Sequence, residues 1–126
     1  MRKLYLNNIS LALILVLLGS LGCDKNNTQQ TPLPLGELSA AFEKAFGKAK
    51  PEVKELANQV VKSIQSQDYP KAFQDIQSLS GAPGLTKEQA STVGRGRLTI
   101  NELLQAAEAK GDEKAATTLE NYQRTK

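Results

Sequence analysis

From Gly36 onward, apolar residues recur at helical spacing. Leu38, Phe42, Ala45 and Phe46 follow i, i+4, i+7, i+8, and Pro51 closes that segment. Val53, Leu56, Ala57, Val60, Val61 and Ile64 form a second stripe. Asp68 is placed to cap a third helix, with Pro70 in the first turn, where a missing N–H costs nothing. That helix buries Ala72, Phe73, Ile76 and Leu79. Ser80–Gly84, "SGAPG", breaks the pattern. Thr86 and Gln89 form a capping box ahead of a long fourth stripe of Ala90, Val93, Ile100, Leu103, Leu104 and Ala107. "GRGR" at Gly94–Arg97 interrupts it, and because each mid-helix Gly costs about 1 kcal/mol, a kink or short break is expected there. Gly111 stops the segment and Asp112 caps a last helix that buries Ala115, Ala116, Leu119 and Tyr122. No stretch alternates at period two, so no sheet is expected.

The expected fold is therefore all-α: a small bundle of four or five antiparallel helices over residues 36–126. Its core should include Phe42, Leu56, Val60, Ile64, Phe73, Ile76, Leu103, Leu104 and Leu119. Shifting the chain by 43 positions lays Asn58–Val61 over Asn101–Leu104, Lys71-Ala72 over Lys114-Ala115, and Ile76 over Leu119. Two similar helical hairpins account for this, either as repeats or as independent solutions to amphipathic packing. "QDYPKAF" (Gln67–Phe73) faintly resembles the start of the second helix of a tetratricopeptide repeat. The period of 43 and the missing aromatic and glycine markers depart from that family.

The first 35 residues follow another logic. Arg2 and Lys3 precede an apolar run, Ile9–Leu18, broken only by Ser10. Gly19, Ser20 and Gly22 are small residues before Cys23, the only cysteine. This is the layout of a secretory signal peptide over residues 1–22. The run is short of the roughly 20 apolar residues that span a bilayer. "GSLGC" (Gly19–Cys23) resembles the lipobox of bacterial lipoproteins. Leu21 sits one place later than the family's most frequent leucine. The resemblance implies that the Cys23 thiol carries a diacylglycerol, that the leader is cut just before it, and that its new amino group is a further acylation site. It implies a bacterial cell membrane or outer membrane location, facing away from the cytoplasm. Physical chemistry agrees: stable anchoring needs about two acyl chains, and a lone free thiol is a liability in an oxidising compartment.

Asp24–Pro34, "DKNNTQQTPLP", holds polar amides, two prolines and one leucine, so residues 23–35 read as the lipidated cysteine and a flexible tether. Eleven such residues reach at most about 35–40 Å.

Charge and chemistry narrow the function. Arg2 and Lys3 leave with the leader, so 14 basic and 13 acidic side chains remain from Cys23 on, a balance of +1. That gives no electrostatic footprint for nucleic acid. The chain has no His, the commonest general base and metal ligand. Glu52, Glu55, Asp75, Glu102, Glu108 and Glu120 lie in solvent-facing patterns, and no loop has cation-binding spacing. No catalytic residue, metal ligand or cofactor motif is assigned. Arg95 and Arg97, between glycines, are either solvated or a clasp for a phosphate, a carboxylate or an acidic partner. Two functions follow as expectations: a membrane-anchored, non-catalytic helical module that binds a protein or has a structural role, or a binding protein for a small or anionic ligand through the bundle and Arg95/Arg97.

Overall fold

The computed structural model describes residues 29–126, and within them the chain is all-α. Five helices follow one another: α1 (Leu35–Phe46), α2 (Pro51–Gln65), α3 (Tyr69–Ser80), α4 (Lys87–Ala109) and α5 (Glu113–Arg124). The expected leader, the lipobox-like stretch and Cys23 lie outside the described residues.

The helix ends follow the expected chemistry. Pro51 and Pro70 sit in the first turns of α2 and α3. The Asp68 carboxylate accepts from the Lys71 N–H, and that of Asp112 accepts from the Lys114 and Ala115 N–H groups. The capping box is complete: Thr86 Oγ1 accepts from the Gln89 N–H at 3.1 Å, and Gln89 Oε1 accepts from the Thr86 N–H at 3.0 Å.

Short loops make consecutive helices antiparallel neighbours. α1 packs on α2, α2 on α3, α3 on α4, and α4 returns to α1, so four helices close a ring. α5 lies on α4 and touches α3. Leu38, Phe42, Val60, Phe73, Ile76, Leu79, Ile100 and Leu104 fill the centre, each 1% exposed or less. Phe42 and Phe46 stack at 6.0 Å between ring centres, and Phe73 meets Tyr122 edge-on at 5.1 Å. Of the expected core, Leu56 and Leu103 lie at its rim and the rest are buried.

The α2–α3 and α4–α5 turns are built alike. Gln67 (φ 58°) and Gly111 (φ 91°) both take the left-handed conformation. The N–H of the following aspartate then reaches back five residues: Asp68 to the Ser63 carbonyl, Asp112 to the Ala107 carbonyl, both at 3.0 Å. This is the Schellman arrangement, with one aspartate ending a helix and capping the next. The turns coincide at a shift of 44, whereas the buried positions of the flanking helices coincide at 43.

Two expectations require correction. α4 is unbroken through Gly94–Arg97. The described end of the segment expected to be free, Gln29–Pro34, lies against α4 instead of hanging clear of the domain.

Candidate functional site

The middle of α4 explains both corrections. Gly96 is buried, and a Cβ there would lie 2.7–2.8 Å from the Phe42 ring and 3.4 Å from Leu38. The missing side chain lets α1 approach α4 closely. The packing gained offsets the roughly 1 kcal/mol that a helical glycine costs. Gly94, on the same helix, is met by the side-chain amide of Gln30.

Between these glycines, Arg95 turns toward the chain that precedes α1. Its Nε donates to the Thr31 carbonyl at 2.9 Å. One turn later the Thr99 hydroxyl is buried and donates to the Leu33 carbonyl at 2.6 Å. Leu33 itself, only 9% exposed, joins the core. The segment thus gives α4 two carbonyls and one leucine, and α4 supplies the matching donors.

Arg97 goes elsewhere. Two residues along a helix rotate a side chain by about 200°. It lines a surface hollow of about 360 Å³ between α4 and α5, with Phe73, Asn101, Gln105, Glu108, Tyr122 and Lys126 around it. Lys126 Nζ stands 4.7 Å from the centre of the Tyr122 ring, a cation–π contact. The arginines do not converge: Arg95 borders the hollow beside Gln29–Thr31, of about 410 Å³, and Arg97 the hollow beside α5. Their spacing puts them on opposite sides of a continuous helix, so the two guanidinium groups do not act on one hollow together.

The carboxylates are placed for structure and solvation. Asp75, whose side chain is 13% exposed, accepts from Ser63 Oγ at 2.6 Å and pairs with Lys71 Nζ at 2.8 Å. It ties α3 to α2 through the buried Ser63. Glu120 pairs with Arg124 one turn along α5. Glu52, Glu55, Glu102 and Glu108 are exposed. Among the described residues, no three His, Cys, Asp or Glu side chains gather as a metal site, and no helix is long and apolar enough to cross a membrane.

Reading the sequence for charged and nucleophilic groups missed Gly96, Thr99 and Leu33. A usable signal existed: Val93, Gly96, Ile100, Leu103 and Leu104 keep one helical stripe if the glycine is counted as a small buried residue. Comparison with known protein families, curated proteins and solved structures returns no match for this chain.

Proposed function

We propose that this chain is a bacterial envelope lipoprotein: a non-catalytic helical module, anchored through lipid on Cys23, that binds a protein partner or has a structural role. The observation that carries the reading is the order of parts. A positive start and a short apolar run end at "GSLGC"; a brief polar stretch follows, and then a helical domain with its own core. The apolar run is too short to hold the protein by itself, and the cysteine stands where an acyl anchor would take over. The domain's carboxylates are solvated or engaged in structural contacts, which supports a binding or structural role over a chemical one. Recognition of a small anion by Arg95 and Arg97 together is the weaker reading, since the two line different hollows.

Mass spectrometry of the protein extracted from native bacterial membranes tests the anchor. The expected species begins at Cys23 and carries at least two acyl chains. An unmodified Cys23 thiol, or a mature N-terminus at another residue, overturns the reading.

A further inference from the structure

The segment before α1 has the makings of a strap. Its carbonyls at Thr31 and Leu33 are taken by Arg95 and Thr99, four residues apart on α4. Leu33 plugs into the core, and Gln30 lies over the bare backbone at Gly94. Pro32 and Pro34 alternate with the held residues. Each proline fixes φ near −65° and offers no N–H that would need a partner. They also narrow the conformations open to the free segment, so less entropy is lost when it docks.

The geometry points to a positioning device: the docked Gln30–Pro34 strap sets the reach of the domain relative to its anchor. This rests on the reading of Cys23 as the lipid attachment site. A free Asp24–Pro34 segment would reach about 35–40 Å, whereas the stretch from Cys23 to the first hydrogen-bonded residue, Thr31, reaches at most about 29 Å.

The test uses the full chain, processed from its own leader, with Gln29→Cys and Glu55→Cys. Both positions are exposed, Gln29 beside the strap and Glu55 on α2. The two new thiols are spin-labelled and the protein is placed in phosphatidylethanolamine–phosphatidylglycerol vesicles. Pulsed dipolar spectroscopy should give one narrow distance distribution. Arg95→Ala combined with Thr99→Val should broaden it at least twofold at unchanged helix content by circular dichroism. Leu33→Ser, which lies outside every helix, should do the same. A distribution already broad in the parent, or equal widths in parent and both variants, overturns the strap. The labelled protein's mass separates the two readings. Two labels with acyl chains leave the widths to decide; a third label on a free Cys23 overturns the anchor, and the positioning role with it.

Discussion

The Phe42 ring occupies the space that a side chain at position 96 would need. A Cβ on Gly96 would lie 2.7 Å from Cε2 and 2.8 Å from Cζ of that ring. Phe42 is fully buried and stacks on Phe46, so it has little room to retreat. Gly96→Ala sets a helix-propensity gain of about 1 kcal/mol against an overpacking cost of about 1–3 kcal/mol. The expected outcome is a net loss of up to about 2 kcal/mol, with thermal unfolding lowered by up to about 10 °C. Gly94→Ala is the control. Its neighbour is the movable end of Gln30, so the melting temperature should hold or rise. Equal stabilisation by both substitutions would show that α1 and α4 are not in close contact.

The paired turns give a second prediction. Gln67 adopts the left-handed conformation with a side chain that disfavours it, while Gly111 fills the equivalent place at no steric cost. Gln67→Gly should stabilise the domain by about 0.5–1 kcal/mol in urea denaturation. Gly111→Ala should destabilise it by about 1 kcal/mol, although open space surrounds that position. Effects of the same sign would mean that the turns do not share a geometry.

Ile76 tests the packing of α3. It is fully buried, as the stripe Ala72, Phe73, Ile76 and Leu79 requires. Ile76→Asp forces a choice between an unpaired buried charge and an opened core. In a domain with about 5–15 kcal/mol of stability, either should abolish cooperative unfolding or lower its midpoint steeply. An unchanged midpoint would place Ile76 on the surface.

The helices were legible because their ends and faces carry local signals. Thr86 and Gln89 announce α4, Asp68 and Asp112 announce α3 and α5, and the apolar stripes mark what is buried. The strap was not legible. Thr31–Pro34 looks like a polar linker with a stray leucine, and what holds it is a pair of donors more than sixty residues away. Gly96 misled for a related reason. Read alone, a helical glycine is a weakness; here its value lies in how close Phe42 comes. Arg95 and Arg97 look like a pair in sequence, but they part once the helix is known to continue through them.

The last prediction concerns Cys23. If the residue serves attachment, Cys23→Ser should leave the protein without acyl chains and with its leader uncut by the lipoprotein peptidase. The substitution lies outside the described domain, so a chain beginning at Lys25 isolates what the domain needs. That chain keeps Gln30, Thr31 and Leu33, and hence the contacts they make with Gly94, Arg95 and Thr99. Its thermal midpoint should match that of the anchored protein within about 2 °C. A chain beginning at Leu35 loses the buried Leu33 and the Thr31 and Leu33 carbonyls. Full burial of a leucine contributes roughly 1.5–3 kcal/mol, and ordering the strap costs part of that, so a loss of about 1 kcal/mol is expected. Calorimetry of the two chains decides. A midpoint lower by several degrees only in the chain that starts at Leu35 is the expected result, and identical midpoints would mean that Leu33 and its two donors add nothing to the fold.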